Sequence, residues 1–178
     1  MTEPKQLHSF TTRYSNKINV IFTDLGISLP TIHSNQKETI HKIKAIWDTG
    51  ATNTTITKAL ATNLKLKPVG KVTVKGVNST SIEDTYLLDI YLPNKVVVKA
   101  LKVTECSALS SDFKMLIGMD IIGLGDFAIT NKNNKTTLSF CLPSLAEIDF
   151  NPLVNDYNLK HSGLNRQQRR LWKKKHKR

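Results

Sequence analysis

The sequence has few cysteines, and their spacing excludes the commonest roles of that residue. The 178 residues include two, Cys106 and Cys141, and neither lies in a CxxC pair or at a Cys/His spacing typical of a zinc or redox site. Two isolated cysteines also give no disulfide framework for a domain of this size. The five histidines show no ligand spacing, so we expect no metal and no cofactor. We expect two free, partly buried thiols and a reducing compartment, the cytoplasm.

Long hydrophobic runs are absent as well. Apolar stretches such as residues 119–124 are interrupted by glycine and aspartate, far short of the roughly 18 residues that a membrane-spanning helix needs. The first residues contain no apolar segment of the kind found in secretory signals, which also favours the cytoplasm. Apolar residues nevertheless make up 39% of the chain and are clustered, which excludes a disordered chain and predicts a packed core.

Acidic residues are missing from the end of the sequence. The chain has 26 Lys+Arg and 14 Asp+Glu, a net charge of +12, but residues 161–178 hold eight of the basic residues and no acidic one. The preceding 160 residues hold 18 basic and 14 acidic residues, a balance of only +4. The sequence therefore divides into a basic tail and a nearly balanced body, whose size lets one domain bury about 70% of the surface of its unfolded chain.

Glycine and proline are few in the body, while β-branched residues are common. Alternating apolar residues and short polar turns predict many short strands. One helix is predicted at 58–66, with Thr55 or Thr57 as its N-cap and Pro68 beyond its end. The pattern predicts an all-β domain, a small closed or sandwiched sheet with one short helix. The predicted strands cover residues 17–24, 39–47, 71–76, 81–92, 95–104, 114–117, 126–131 and 135–141.

These elements divide the chain into four segments. An N-terminal segment spans residues 1–16, and the β-rich domain spans residues 17–141. Residues 142–160 are polar and contain two prolines, so we expect a linker, although three apolar residues in it could pack on the domain. Residues 161–178 form the basic tail.

One short stretch suggests chemistry. The apolar residues 45–47 lead directly into Asp48, Thr49, Gly50 and Ala51. A strand would hold the Asp48 carboxylate from behind, and Gly50 would permit a sharp turn and offer its N–H to that carboxylate. The Thr49 hydroxyl could donate to a neighbouring loop. Taken alone, Asp-Thr-Gly is also a common surface turn, so the rest of the sequence decides between the two interpretations.

Two later segments lie at distances from Asp48 that help to interpret its motif. Residues 71–82 form two β-rich arms around a small polar turn, which predicts a hairpin. Residues 115–122 run as an apolar strand to a glycine and then to Asp120, which could cap a helical turn.

The three elements in this order resemble the retropepsin-like aspartic proteases, over roughly residues 17–141. That family includes the retroviral proteases, the protease domain of ubiquitin-linked shuttle proteins, and small bacterial relatives. The resemblance implies a small, closed, mostly antiparallel β-barrel of the retropepsin type, with one short helix after the catalytic loop. It also implies an aspartic endopeptidase, a peptide hydrolase that uses no metal and no cofactor.

The resemblance assigns a role to each matching residue. Asp48 is the catalytic carboxylate, and the three residues after it, Thr49, Gly50 and Ala51, support the active-site loop. The hairpin tip resembles the flap that closes over an extended protein or peptide substrate and excludes water. The loop beside the catalytic strand consists of Ile117 and Gly118, and the flap consists of Lys75, Gly76, Val77, Asn78, Ser79, Thr80 and Ser81.

An aspartic protease needs two carboxylates that share one proton, because two like charges about 3 Å apart cannot both be ionised. The pair activates a water molecule, which attacks the scissile carbonyl. The sequence holds one Asp-Thr-Gly, and Asp120 lacks the Thr-Gly turn that would make it a second copy. The count therefore predicts a C2 homodimer with one Asp48 from each chain.

The match to the viral proteases is incomplete. Trp47 is bulkier than the small or aliphatic residue that usually precedes the catalytic aspartate, and residues 119–121 follow Gly118 without the arginine of the viral proteases. The turn without arginine resembles the shuttle-protein and bacterial branch more closely. Residues 123–128 also fit the pattern G-x-G-x-x-A of a dinucleotide site, but a strand is predicted after them where that site needs a helix.

The basic tail has several interpretations. Residues 161–178 could contact nucleic-acid phosphates or an anionic membrane surface, could be a solvated and disordered tail, or could be a segment that the protease removes or that binds a partner. A second functional hypothesis follows, namely a catalytically idle retropepsin-like module whose basic tail binds nucleic acid. The intact Asp48 turn favours the enzyme.

Overall fold

The computed structural model describes residues 6–30, 39–75, 80–107, 109 and 112–175. The chain divides into two compact units, Met1–Leu145 and Ala146–Arg178.

Strands make up most of the first unit. They are β1 (His8–Arg13), β2 (Phe22–Ser28), β3 (His41–Trp47), β4 (Thr55–Thr57), β5 (Gly70–Lys75), β6 (Thr80–Tyr91), β7 (Val97–Cys106), β8 (Met115–Ile117), β9 (Asp126–Thr130) and β10 (Thr137–Leu142).

Six of these strands close into a barrel. Their spatial order is β2, β3, β8, β4, β7 and β6, and the barrel closes because β6 pairs with β2 as well as with β7. β5 extends β6 as the second arm of a hairpin. The pairs β3–β8 and β4–β7 are parallel, and the others are antiparallel. The predicted all-β class and the closed, mostly antiparallel barrel are confirmed.

Alternate side chains of each barrel strand point into the core. Along β3, Ile43, Ala45 and Trp47 are buried, whereas Lys42 and Lys44 are exposed. Burying such apolar surface contributes about 25 cal/mol per Å², the main term that stabilises a domain of this size. Strands from every side of the barrel supply fully buried residues, among them Ile27, Ile56, Leu88, Ile90, Val103 and Ile117.

A second, three-stranded sheet has the order β1–β10–β9 and is antiparallel throughout. It meets the barrel at an aromatic cluster formed by Phe10, Trp47, Phe127 and Phe140. The Trp47 ring centroid lies 5.9 Å from that of Phe10, 5.5 Å from that of Phe127 and 5.1 Å from that of Phe140. The end of β3 is therefore packed from behind by the second sheet.

Two short α-helices lie among the described residues of the first unit. The predicted helix at 58–66 is present as α1 (Lys58–Asn63), and Thr57 is its N-cap because the Thr57 Oγ1 accepts the Leu60 N–H at 3.3 Å. The helix ends earlier than predicted, with Leu64 as its C-cap, and the next residue, Lys65, adopts a positive φ of 53°. The second helix, α2 (Met119–Ile122), follows β8 directly.

The start of the domain differs from the prediction. Residues 17–21 precede β2 rather than forming its first half, and Val20 is exposed. The Tyr14 hydroxyl donates to the Phe22 carbonyl and accepts the Phe22 N–H at 3.2 Å, so this side chain occupies both backbone groups of the first residue of β2. The sequence pattern also missed β1 and β4. β4 has three residues, too few to show an alternation.

The described residues of the second unit form two helices, α3 (Asn151–His161) and α4 (Arg166–Lys175). The polar segment that the sequence predicts as a linker therefore contains a helix. Pro152 lies in the first turn of α3, where its missing N–H is tolerated. Gly163 has a φ of +70° and lies in the short connection between the two helices. Among the described residues, no helix is both long and apolar enough to cross a membrane.

Candidate active site

Asp48 lies immediately after β3, at the edge where two parallel strands end. β3 pairs with β8 so that Trp47 lies opposite Ile117. The Asp48 N–H donates to the Ile117 carbonyl at 3.0 Å, and the Trp47 N–H donates to the Ile21 carbonyl at 2.9 Å. These bonds hold the backbone from both sides just before it leaves the sheet, so the position of the Asp48 Cα is well defined.

The turn after Asp48 orients its carboxylate. The Gly50 N–H donates to Asp48 Oδ1 at 2.8 Å, and the Ala51 N–H donates to the Asp48 carbonyl at 3.3 Å. A Cβ at position 50 would lie 3.1 Å from Oδ1, so a residue with a side chain would crowd the carboxylate. Asp48 is half-buried, and Thr49 and Gly50 are exposed. The turn thus presents a fixed, accessible carboxylate at the surface of the single chain.

A second aspartate, Asp120, accepts hydrogen bonds from the end of the same loop. Asp120 Oδ2 accepts the Thr54 N–H at 2.8 Å, and Asp120 Oδ1 accepts both the Thr54 hydroxyl at 2.7 Å and the Ile121 N–H at 2.9 Å. Thr54 is fully buried, and its Oγ1 also accepts the Gly118 N–H at 3.2 Å. The network of Thr54, Asp120 and Gly118 therefore ties the end of the catalytic loop to the start of α2.

Gly118 lies where two stretches of backbone come very close. A Cβ at this position would approach the carbonyl carbon of Asn53 to 2.6 Å and the carbonyl oxygen of Ala51 to 3.0 Å, so only glycine fits without a shift of the backbone. The contact lets the Met119 N–H donate to the Ala51 carbonyl at 2.8 Å. The structure thus brings Asp48, Ala51, Ile117 and Gly118 together in two neighbouring loops.

Trp47 anchors the catalytic strand. Its ring is buried in the aromatic cluster, and its Nε1 donates to the Thr23 hydroxyl at 2.9 Å. The indole therefore has both apolar contacts and a hydrogen-bond partner, which explains how the barrel accommodates a bulky residue immediately before Asp48.

The predicted hairpin is formed by β5 and β6, with Val74 opposite Ser81 and Lys75 opposite Thr80. Thr80 and Ser81 are exposed. Four of the residues assigned to the flap, Gly76, Val77, Asn78 and Ser79, lie outside the described residues, so their role stays a prediction.

The other sequence patterns have structural explanations. The glycine pattern at 123–128 continues into β9, so the helix that a dinucleotide site needs is replaced by a strand. Gly125 packs against β10, because a Cβ there would lie 2.0 Å from the Cys141 carbonyl oxygen. Among the described residues, no group of three or more His, Cys, Asp or Glu side chains could hold a metal ion.

Among the described residues of the first unit, three side chains have raised pKa values. Burial raises the pKa of Tyr86 far above its usual range, and the Glu105 carboxylate that accepts its hydrogen bond at 2.7 Å raises it further. Burial also raises the pKa of Tyr14 and of the Cys106 thiol, with hydrogen bonds from Phe22 and Thr55 respectively acting in the opposite direction. The two cysteines are free and half-buried, as predicted. A raised pKa keeps the Cys106 thiol protonated and makes it a poor nucleophile.

Thr54 is a functional residue that no sequence pattern indicates. It lies six positions after Asp48 and outside any periodic pattern, so only the folded loop brings it to Asp120. The sequence predicts Asp120 as a possible helix cap, but the N-cap of α2 is Gly118, and Asp120 lies in the first turn, where its Oδ1 accepts the Ile121 N–H. Its two bonds to Thr54 connect distant parts of the sequence and have no local signal.

Residues 39–123 match the family model described as gag-polyprotein putative aspartyl protease. This segment runs from the residues before β3 to the end of α2 and contains Asp48, the hairpin and the Gly118 loop. The resemblance to the retropepsin-like aspartic proteases is confirmed. No curated protein matches the chain.

Three solved structures illustrate the similarity. A retropepsin-like aspartic protease from Rickettsia conorii is 17% identical with a TM-score of 0.46, over 76% of this chain and 95% of that protein. The retroviral protease-like domain of Ddi1 from Leishmania major is 18% identical with a TM-score of 0.40, over 75% and 99%. Simian foamy virus (mac) protease is 21% identical with a TM-score of 0.37, over 57% and 92%.

Proposed function

We propose that this chain, which carries a retropepsin-like aspartic protease segment at residues 39–123, is an aspartic endopeptidase that works as a homodimer. One observation carries the proposal: the Asp48 carboxylate is held by the Gly50 N–H at 2.8 Å on an accessible turn. The backbone that leads into Asp48 is bonded to Ile21 and to Ile117 of β8, so the group is preorganised for chemistry and costs little to reorient during a reaction.

The dimer supplies the second carboxylate. Both oxygens of Asp120 already accept hydrogen bonds from Thr54, so this residue supports the loop instead of pairing with Asp48. A two-fold axis beside the exposed Thr49 and Gly50 would bring two copies of Asp48 together.

The chemistry requires that the two Asp48 carboxylates share one proton. The ionised member removes a proton from a bound water molecule, while the protonated member donates to the carbonyl oxygen of the scissile bond. The water oxygen bonds to the carbonyl carbon and gives a tetrahedral gem-diol. The carboxyl that took the water proton then gives it to the nitrogen, the C–N bond breaks, and a hydroxyl proton of the intermediate returns to the other carboxylate, which restores the shared proton. The pair acts as one unit, so neither chain is permanently the acid or the base.

The substrate is proposed to be an extended protein or peptide segment. Such a segment would lie between the active-site turn and the β5–β6 hairpin and would add its backbone as a strand. A hairpin that closes over it would exclude bulk water from the reaction.

The decisive experiment compares Asp48→Asn with the matched control Asp24→Asn, since Asp24 is an exposed aspartate on the neighbouring strand β2. Cleavage of denatured casein or of a peptide library at mildly acidic to neutral pH should be lost in Asp48→Asn and retained in Asp24→Asn. Equal activity of wild type and Asp48→Asn would refute the proposal. If the wild type and both variants fail to cleave any of these substrates, the idle retropepsin-like module is favoured.

Mixing tests the shared site directly. When wild type and Asp48→Asn are unfolded together in equal amounts and refolded, random pairing leaves about a quarter of the dimers with two intact aspartates. Activity per total protein should fall to about that fraction. A fall to only about one half would show that each chain acts alone.

A further inference from the structure

The second unit carries a row of exposed cations. Arg166, Arg170 and Lys174 are spaced four residues apart on α4, so they share one face of the helix, and all three side chains are exposed. We propose that this basic row binds the phosphodiester backbone of a nucleic acid. The proposed binding surface lies in the second unit, and the binding of nucleic acid is independent of the chemistry at Asp48.

The start of α4 is held in a defined position. Asn165 Oδ1 accepts the Gln168 N–H at 3.0 Å, and Gln168 Oε1 accepts the Asn165 N–H at 2.9 Å, which is a reciprocal capping pair. The Arg169 Nε donates to the Leu164 carbonyl at 2.7 Å. Because these bonds order the first turn of α4 before any ligand arrives, binding loses less conformational entropy.

A groove of about 480 Å³ lies within the second unit beside the basic row. Lys160 of α3 and Arg166, Arg169 and Arg170 of α4 bring four cations to its lining. The acidic residue of the lining, Asp156, pairs with Lys160 at 2.7 Å. Guanidinium groups suit phosphate oxygens because their planar donors bind two oxygens at once. The groove therefore offers an excess of positive charge around a concave surface.

The charge of the helix fits a polyanion. Residues 157–178 contain no acidic residue, so no carboxylate side chain within this segment offsets the positive charge of α4. Its ten residues span about 15 Å, and duplex DNA presents roughly nine phosphate charges over that distance. Several phosphates can thus face the basic row at the same time.

A nucleic acid fits α4 better than a lipid surface does. A helix that lies on a membrane needs a broad apolar face. The apolar residues of α4 are Leu171 and Trp172, and Trp172 is already half-buried. Two such residues give a narrow apolar face, whereas the basic residues extend along the whole helix.

The test uses the full chain and fluorescence anisotropy with short mixed-sequence DNA, in single-stranded and in duplex form. The variant Arg166→Gln/Arg170→Gln/Lys174→Gln removes three exposed charges while keeping good helix-forming residues. The control Lys42→Gln/Lys67→Gln/Lys102→Gln removes three exposed charges from the first unit. A third variant, Arg166→Lys/Arg170→Lys, keeps the charge of the row.

We expect wild type to bind DNA with an affinity that falls steeply between about 50 and 200 mM salt. The triple Gln variant of the row should bind at least about tenfold more weakly and reduce the logarithmic salt slope on duplex DNA by about 2 to 3. The first-unit control and the Lys variant should stay within about threefold of wild type. Circular dichroism should show that the helical content of all variants is unchanged.

Two further measurements separate this proposal from its competitors. Asp48→Asn should bind DNA as wild type does, and the triple Gln variant of the row should cleave a peptide at the wild-type rate. The proposal is overturned if wild type does not bind DNA at low salt, or if the first-unit control loses as much affinity as the row variant. It is also overturned if vesicles containing phosphatidylserine bind the chain and compete DNA away from it, because the partner would then be a membrane.

Discussion

Asp48 and Asp120 follow two neighbouring parallel strands, yet their carboxylates have different partners. Asp48 Oδ1 accepts one hydrogen bond, from the Gly50 N–H, on an accessible turn. The oxygens of Asp120 accept three, from the Thr54 N–H, the Thr54 hydroxyl and the Ile121 N–H. A carboxylate whose oxygens are taken up by protein donors stabilises structure, whereas one with free capacity can bind water or substrate. The local partners, and not the residue type, therefore separate the two roles.

The largest effect should come from Asp48→Asn. We expect peptide hydrolysis to fall by at least about a thousandfold, because the amide cannot remove a proton from water. The free energy of unfolding should change by less than about 0.5 kcal/mol, since the amide oxygen can still accept the Gly50 N–H. Peptide cleavage and urea denaturation measure the two quantities. If Asp48→Asn lost activity because it was largely unfolded, Asp48 would be a structural residue, and its role would not differ from that of Asp120.

Asp120→Ala should behave in the opposite way. The change leaves the buried Thr54 N–H and hydroxyl without their acceptor, so we expect a loss of about 2–4 kcal/mol in the free energy of unfolding. Asp120→Asn keeps one acceptor oxygen and should lose about half as much. Urea denaturation of the two variants provides the measurement. If Asp120→Ala folds as stably as wild type but is inactive, Asp120 takes part in the chemistry.

Thr54→Val tests the other side of the same network. The valine removes a hydroxyl that donates to Asp120 and accepts the Gly118 N–H, so we expect a loss of about 1–3 kcal/mol in stability. Thr54→Ser keeps the hydroxyl and should lose less than about 1 kcal/mol. Equal losses for the valine and serine variants would mean that packing, and not hydrogen bonding, gives Thr54 its importance.

The smallest of these effects is expected from Trp47→Phe, which acts behind the Asp48 turn. The phenylalanine keeps much of the aromatic contact but removes the hydrogen bond to the buried Thr23 hydroxyl, so stability should fall by about 1–2 kcal/mol. The Michaelis constant for a peptide should change little if Trp47 only supports the strand. A change confined to the Michaelis constant, with stability unaltered, would place Trp47 in contact with substrate.

The sequence predicts the parts of this structure that local patterns encode. Alternating residues such as Ile43, Ala45 and Trp47 identify β3, and Thr57 identifies the start of α1. The motif at Asp48 is also local, because the strand, the carboxylate and Gly50 are neighbours in sequence. These elements are predictable because each depends on residues within about one turn or strand of one another.

The parts that were missed depend on distant residues. β1 is a strand because it pairs with β10, which lies more than a hundred residues later. β2 begins only at Phe22, whose backbone carbonyl and N–H are both hydrogen-bonded to the Tyr14 hydroxyl. Thr54 gains its role from Asp120, which lies 66 positions away. α3 is short and its apolar residues do not form a clear helical stripe, so the spacing of its residues does not predict a helix. Tertiary contacts decide such cases, and no local pattern records them.

The pairing of β1 with β10 has a consequence for the order in which the protein can fold. His8 lies opposite Leu142, so the second sheet joins the two ends of the first unit. On the ribosome, residues near the N-terminus emerge first, and β1 must wait for its partner until almost the whole unit has been synthesised. Until then Trp47 lacks the Phe140 side of the aromatic cluster. The strand that carries Asp48 therefore gains the packing of the second sheet only after the last strand of the unit has been made.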